Sequence, residues 1–237
     1  PGKGGGRAPA PTRMRGRTAG DGEAGLKDRV DGYRWDSGEQ TCAHAYLLPA
    51  VLEELANLQG ERMEGQPSRV FDLGCGNGSV AKALAGAGWD VTGVDPSSEG
   101  IAQANAHYPD LRLEKGSAYD DLAARYGRFP VVISLEVVEH VYAPRDYART
   151  LVDLLEPGGT AILSTPYHGY LKNLVMAVTG KLDAHFTALW DHGYIKFWSV
   201  RTLGSLLTEA GLHDVRFRRV GRVPPLAKSM IAIARRP

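Results

Sequence analysis

Short apolar runs alternate with amphipathic stretches along most of this chain. Val70-Phe71-Asp72-Leu73, Val91-Thr92-Gly93-Val94 and Val131-Val132-Ile133-Ser134-Leu135 are too short for helices and too apolar to be solvated, which marks buried strands. The pattern predicts strands over 69–73, 90–94, 111–114, 130–135 and 160–164. Helices fall between them over 79–87, from Ser97 as N-cap, and over 144–155, the last stopping before Pro157-Gly158-Gly159. Upstream, Leu47, Leu48, Val51, Leu52, Leu55 and Leu58 line one side of a helix over 41–58, with Pro49 near its start or at a kink. Downstream, a helix over 199–210 ends at Gly211, and runs over 214–220 and 227–234 can pair as a hairpin. Alternating strands and helices of this kind predict an α/β, Rossmann-like, doubly wound sheet.

The alternation fails between 166 and 198, where aromatic and histidine side chains crowd together: Tyr167, His168, Tyr170, His185, Phe186, Trp190, His192, Tyr194, Phe197 and Trp198. This stretch is expected to be a helical lid inserted into one domain over 26–237, with an N-terminal cap over 26–66. No internal repeat is visible.

Candidate chemistry concentrates after the first strand. Asp72-Leu73-Gly74-Cys75-Gly76-Asn77-Gly78-Ser79 carries three alternating glycines into a helix, and the second strand ends at Asp95. A strand, glycine turn, helix and strand ending in a lone carboxylate make a nucleotide-type cofactor site. A dinucleotide turn counted from Gly74 would need a third glycine where Ser79 stands. A pyrophosphate would also be repelled by Asp72, whereas a cationic amino group would be held. Asp95 has the acceptor capacity for two ribose hydroxyls. The combination favours S-adenosylmethionine over NAD.

Composition narrows the setting. With 237 residues and 43% apolar content, the chain can bury one sizeable core. No run approaches the ~18 consecutive apolar residues of a membrane span, and no signal-like segment opens the chain, so a cytoplasmic protein with no membrane span is expected. Cys42 and Cys75 supply no disulfide framework and are expected to be reduced thiols. The net charge of +1 is uneven. Residues 1–20 hold Lys3, Arg7, Arg13, Arg15 and Arg17 without an acid, so the rest carries −4. That Gly-, Pro- and Arg-rich region, taken as a tail over 1–25, is expected to be disordered, with Met14 a candidate natural start. It lacks the aromatic interleaving of a nucleic-acid binder, and no nucleic-acid partner is expected. A second basic cluster, Arg216, Arg218, Arg219 and Arg222, is expected to be one solvated strand face.

Four motifs together carry a resemblance: Asp72-Leu73-Gly74-Cys75-Gly76-Asn77-Gly78, Gly93-Val94-Asp95, Glu136-Val137-Val138-Glu139-His140-Val141 and Glu156-Pro157-Gly158-Gly159. The chain resembles class I S-adenosylmethionine-dependent methyltransferases, and among them the O-methyltransferases of ubiquinone biosynthesis and their small-molecule relatives. The resemblance spans about residues 33–234. It implies a seven-stranded sheet of order 3-2-1-4-5-7-6 with the last strand antiparallel and helices on both faces. It further implies that Asp72, Gly74, Cys75, Gly76 and Asn77 hold the methionine end, Asp95 the ribose, and Pro96 with Ser97 the flank of the adenine. Ser117, Ala118 and Tyr119 would read the adenine, and Leu135 and Glu136 would lie beneath the sulfonium. The family's usual acid after the third strand is replaced by Ser117, which leaves adenine recognition to a backbone amide such as that of Ala118.

The resemblance also implies a divalent ion such as Mg²⁺ at Glu136, Glu139 and His140, since positions i, i+3 and i+4 of a helical turn share one face. The same Glu-His pair can instead order the loop after the fourth strand. Such an ion would lower the pKa of an acceptor hydroxyl. Candidate bases are His140 and His168 first, then His185 and His192. Tyr33, Trp35, Tyr167, His168, Tyr170, His185, Trp190 and His192 are the candidate walls of a water-excluding acceptor pocket. The expected reaction is methyl transfer to a hydroxyl, phenolic by preference, of a small molecule. N-methylation of an amine and cofactor binding without catalysis stay open, as does the oligomeric state.

Overall fold

The structure, a computed structural model, describes residues 44–60, 68–186, 188 and 193–237. The basic tail, Tyr33, Trp35, Cys42, Trp190 and His192 lie outside the described residues, as does most of the predicted cap.

Helix α1 (His44–Gly60) leads into β1 (Arg69–Leu73), α2 (Ser79–Gly86), β2 (Asp90–Asp95), α3 (Ser98–His107), β3 (Arg112–Lys115), α4 (Leu122–Tyr126), β4 (Phe129–Leu135), α5 (Pro144–Leu154) and β5 (Leu155–Pro166). Helices α6 (Tyr170–Val178), α7 (Leu182–Phe186) and α8 (Val200–Glu209) then precede the hairpin of β6 (His213–Val220) and β7 (Ser229–Arg235). The strands form one sheet of order β3-β2-β1-β4-β5-β7-β6. β7 runs antiparallel to β5 and β6, and the pairings from β3 through β5 are parallel.

Successive side chains of a strand point to opposite faces, and here both faces are buried. Phe71 and Leu73 of β1 pack with Leu151, Leu154, Leu203 and Leu207 from α5 and α8. Val70 packs on the other side with Leu47, Val51, Leu55, Val80, Leu84 and Ile101 from α1, α2 and α3. Truncating a fully buried ring such as Phe71 to alanine would cost ~3–5 kcal/mol.

Local chemistry sets the element ends. Ser97 Oγ accepts the Gly100 N–H at 3.0 Å and starts α3 as a side-chain cap. Ser199 and Thr202 form a reciprocal capping box at α8. β5 starts earlier than its apolar run, because the chain leaves α5 directly into pairing, Leu155 against Phe129, before a register shift. Pro49 sits inside α1, on its exposed side, rather than at its start. α4 has only five residues, too few to show a helical period, and α6 and α7 give the predicted insert regular structure.

The basic strand near the C-terminus is not wholly solvated, which corrects the expectation above. Arg216 Nη1 donates to Glu54 Oε1 at 3.1 Å, its second nitrogen reaches Glu54 Oε2, and Arg218 Nη2 pairs with Glu53 Oε2 at 2.7 Å. These bonds fasten α1 to β6. Among the described residues no helix is long and apolar enough to cross a membrane.

Candidate active site

At the carboxyl end of β1 the chain turns through Gly74, Gly76 and Gly78, with φ of 95°, 52° and 78°. Gly74 and Cys75 N–H both donate to Val94 O, at 2.8 and 3.0 Å, pinning the turn to β2. A Cβ on Gly74 would come within 2.4 Å of Val137 Cγ2, so glycine is required both by its positive φ and by the neighbouring turn after β4. Gly93 is needed for space alone, since a Cβ there would lie 2.9 Å from Cys75 Cβ.

Two carboxylates flank this turn. Asp95 Oδ2 accepts the Gly76 N–H at 3.0 Å and Oδ1 accepts the Ser97 N–H at 2.8 Å. The amides orient the carboxylate, and each oxygen has the capacity for a second donor. Asp72 is 1% exposed, and its Oδ2 has no hydrogen-bond partner among the described residues. Burial first, and then the charge of Asp95, lift its pKa to about 7. An unpaired buried carboxylate facing a second carboxylate calls for a cation. The donor set therefore fits the amino group of an adenosyl amino acid, and it opposes a pyrophosphate. The Cys75 thiol is buried and pushed well up by burial, with Asp72 and Asp95 adding to the effect, so it is no ready nucleophile.

After β3, Ser117 N–H donates to Asp120 Oδ2 at 2.7 Å, Ser117 Oγ accepts from Tyr119 N at 3.2 Å, and Tyr119 Oη accepts from Ala143 N at 3.1 Å. Asp120 thus brings a carboxylate onto the Ser117 amide in the turn after β3. Pro96 and Ala118 are half-buried, and Ser97 and Leu135 are buried. Asn77 Oδ1 accepts from Ser79 N at 3.2 Å and closes the glycine turn.

The carboxyl ends of β4 and β5 form a second cluster. Glu136 follows β4 with φ 57°, a left-handed conformation uncommon for a residue with a Cβ. Its N–H donates to Ser164 O at 3.1 Å and to Ser164 Oγ at 3.0 Å, and Ser164 Oγ donates to Glu136 Oε1 at 2.9 Å. Burial raises the Glu136 carboxyl to about 7, opposed by hydrogen bonds from Ser164 and Ser229 and by the charge of Lys172. Glu139 is 1% exposed with both oxygens unpartnered, and burial reinforced by Glu136 pushes it well above the ordinary range.

Residues 138–140 form a turn, not a helix, because the left-handed Glu136 breaks the helical register. The i, i+3, i+4 face that would gather Glu136, Glu139 and His140 does not form. Among the described residues no three His, Cys, Asp or Glu side chains are placed to hold a metal ion. Glu136 and His140 are engaged otherwise, and Glu139 is tied through its backbone. Glu136 is tied to Ser164, and His140 Nδ1 lies 3.1 Å from Gly193 O. The Glu139 carbonyl accepts from Ile195 N and Lys196 N at 2.9 and 3.0 Å. Trp198 Nε1 donates to Val138 O at 3.0 Å. The turn after β4 is thus stitched to residues 193–198, and Mg²⁺ does not fit it as arranged.

Of the expected pocket walls, His168 and His185 come together, with ring centroids 5.2 Å apart, alongside Phe186 and Phe197. Burial, followed by the charges of Lys172 and His185, lowers His168 to about 4. His185 is also lowered, by burial and then Lys172. Tyr167 is buried against this edge with Arg219 over its ring. Tyr170 is 85% exposed and does not join the cluster.

Several site residues carried no local signal. Lys172, which donates to Tyr167 O at 2.8 Å, is buried and lowered to about 8 by burial and then by Arg222. Ser164, Ser229 and Tyr46 surround Glu136 from β5, β7 and α1. Each takes its place only from contacts with elements distant in sequence.

A family model described as a methyltransferase domain matches residues 43–216. The chain is 32% identical over 181 residues to a ubiquinone biosynthesis O-methyltransferase of Cereibacter sphaeroides (strain ATCC 17025 / ATH 2.4.3), covering 73% of this chain and 72% of that protein. It is 39% identical over 153 residues to the protein of the same name from Caulobacter sp. (strain K31), covering 63% of this chain and 59% of that one. Among solved structures, magnesium protoporphyrin IX methyltransferase from Synechocystis PCC 6803 with bound SAH superposes with a TM-score of 0.61 at 21% identity, covering 92% and 90% of the two chains. That likeness establishes the shared fold.

Proposed function

This chain belongs to the class I S-adenosylmethionine-dependent methyltransferases, and from that premise we propose that its methyl acceptor is a hydroxyl, phenolic by preference, of a small molecule. The observation that carries the cofactor side is Asp72, a buried carboxylate whose Oδ2 has no partner among the described residues, behind a glycine turn. Asp72 and the turn from Gly74 to Asn77 hold the amino acid end. Asp95 takes the ribose, and Pro96, Ser97, Ser117, Ala118 and Tyr119 border the adenine. When bound, S-adenosylmethionine supplies an activated methyl group on a good leaving group. The protein's share is to align the acceptor, exclude water and accept a proton.

The acceptor side rests on the names of the relatives and on the β4 edge. Glu136 is half-buried at that edge, with one oxygen held by Ser164, and orients the incoming hydroxyl. His140 is the better base of the two leading histidines. A carbonyl can only accept, so His140 Nδ1 donates to Gly193 O, and Nε2 is the acceptor of the neutral ring. At about 4, His168 is too weak a base for a phenol and serves with His185 as a wall. One observation favours the N-methylation reading: the unpartnered oxygens of Glu139 beside Glu136 would attract a cationic amine.

The test is transfer of isotope-labelled methyl from S-adenosylmethionine into matched catechols, simple phenols and amines, read by mass spectrometry. Label in a phenolic oxygen supports the proposal; label confined to amine nitrogen overturns it.

A further inference from the structure

Helix α5 starts at Ala143, which has no side chain to cap it, and Pro144 follows as the first helical residue. The acceptor for the Ala143 N–H comes from elsewhere. Tyr119 Oη accepts it at 3.1 Å across 24 positions, from the turn after β3. That turn is fixed by its own bonds, Ser117 N–H to Asp120 Oδ2 at 2.7 Å and Tyr119 N–H to Ser117 Oγ at 3.2 Å. On the other side of the bond, residues 138–142 are stitched to 193–198. Glu139 O accepts from Ile195 N and Lys196 N, Trp198 Nε1 donates to Val138 O, His140 Nδ1 lies 3.1 Å from Gly193 O, and Lys196 Nζ stands 5.8 Å from the Tyr142 ring centre. One phenol thus joins the loop after β3 to the turn that carries His140.

The direction of this bond is fixed, because a backbone N–H can only donate. Its strength is not. Tyr119 is 47% exposed, so water competes for its hydroxyl and the bond holds weakly. An adenine laid against the ring displaces that water, and a hydrogen bond shut off from water is stronger. We propose that Tyr119 is a positioning residue that couples cofactor binding to the base, its hydroxyl fastening the His140 turn more firmly once adenine covers it. The proposal rests on the placement of adenine and base given above. Such coupling is reciprocal, so an acceptor that orders the turn also tightens the cofactor.

Tyr119→Phe keeps the ring and removes only the hydroxyl. Hydrogen exchange by mass spectrometry with saturating S-adenosylhomocysteine reads the coupling without any acceptor. In wild type the ligand should slow exchange at least threefold over 70–97, 116–120, 140–147 and 193–198. In Tyr119→Phe the protection of 70–97 should persist, while that of 140–147 and 193–198 is lost. Equal protection of 140–147 in both proteins, or its loss together with that of 70–97, would overturn the proposal. So would a wild type protected over 116–120 but not over 140–147, whereas no protection over 116–120 would overturn the adenine placement and the coupling with it. With catechol as acceptor, kcat should fall about fivefold in Tyr119→Phe, the worth of one exposed hydrogen bond, with KM for catechol within about twofold. Tyr119→Phe combined with His140→Gln should be no slower than His140→Gln alone, because both act through the same base. A loss in KM alone, or multiplicative losses in the double variant, would contradict the positioning role. If the wild-type chain methylates no catechol, the phenolic reading fails and the exchange arm alone decides the coupling.

Discussion

The two halves of the sheet solve different problems with different kinds of contact. Around β1 and β2 the site is local: Asp72, the glycine turn, Asp95 and Ser97 lie within 26 consecutive residues, and backbone amides do the orienting. Around β4, β5 and β7 it is assembled from afar, with Tyr46 reaching Ser229 across 183 positions and Trp198 reaching Val138 across 60. The first half orients its groups through backbone amides of its own turn, and the second through side chains brought together from distant elements.

The sharpest way to break this contrast is at Gly74, where the halves touch. Gly74→Ala must place a Cβ 2.4 Å from Val137 Cγ2 at φ 95°. We expect more than 100-fold loss of cofactor affinity by calorimetry and destabilisation of at least ~3 kcal/mol; a well-folded, binding-competent variant would show the turn to be less constrained than described. Next in size, Asp95→Ala should weaken cofactor binding by ~2 kcal/mol or more, because buried hydroxyls lose a charged acceptor. Unchanged affinity would remove Asp95 from the ribose.

Asp72 offers a prediction of two signs. Its folded-state pKa of about 7 lies above the ordinary aspartate value, so between those values the folded chain keeps a proton that the unfolded chain has lost. Cofactor-free stability from this group is therefore fully present at low pH and falls as pH rises through that window. Asp72→Asn should raise the Tm of the cofactor-free protein at pH 8, by ~2–4 °C for each kcal/mol relieved in a chain of this size, while lowering S-adenosylmethionine affinity at least tenfold. A variant that loses both stability and affinity would mean that Asp72 already has a cationic partner.

The acceptor half should respond more gently. Glu54 is held below the ordinary glutamate range, chiefly by its hydrogen bonds to Arg216 and in spite of burial. Its contribution is present above the unfolded value and is lost as pH falls through the folded one. Glu54→Gln should cost ~1 kcal/mol at pH 7 and should narrow the difference from wild type in acid, as urea unfolding at several pH values would show. Smallest of all, EDTA should change turnover less than twofold, since the turn after β4 does not gather a metal site; loss of activity restored by Mg²⁺ would contradict that geometry.

The same contrast explains what was legible in the sequence. The strand order was legible only through the family resemblance of the four motifs, whereas the Ser97 cap and the two carboxylates beside the glycine turn were readable because each rests on neighbours in sequence. The Glu136–His140 turn was misread as helical because its periodicity is helical, and only the positive φ at Glu136, held by Ser164 from another strand, breaks it. Arg216 and Arg218 looked solvated because alternation along a strand cannot show that Glu53 and Glu54 of α1 lie over them. Tyr46 and Ser229 gave no signal for the same reason: their meaning is their contact with each other.

The central claim is that the cleft between the β1 turn and Asp95 holds an adenosyl amino acid through Asp72. Parallel calorimetric titrations of wild type and Asp72→Asn with S-adenosylmethionine and with NAD test it most directly. The account predicts one-to-one binding of S-adenosylmethionine by wild type, at least tenfold weaker in the variant, and no binding of NAD by either. Tight NAD binding, or S-adenosylmethionine binding indifferent to Asp72, would contradict it.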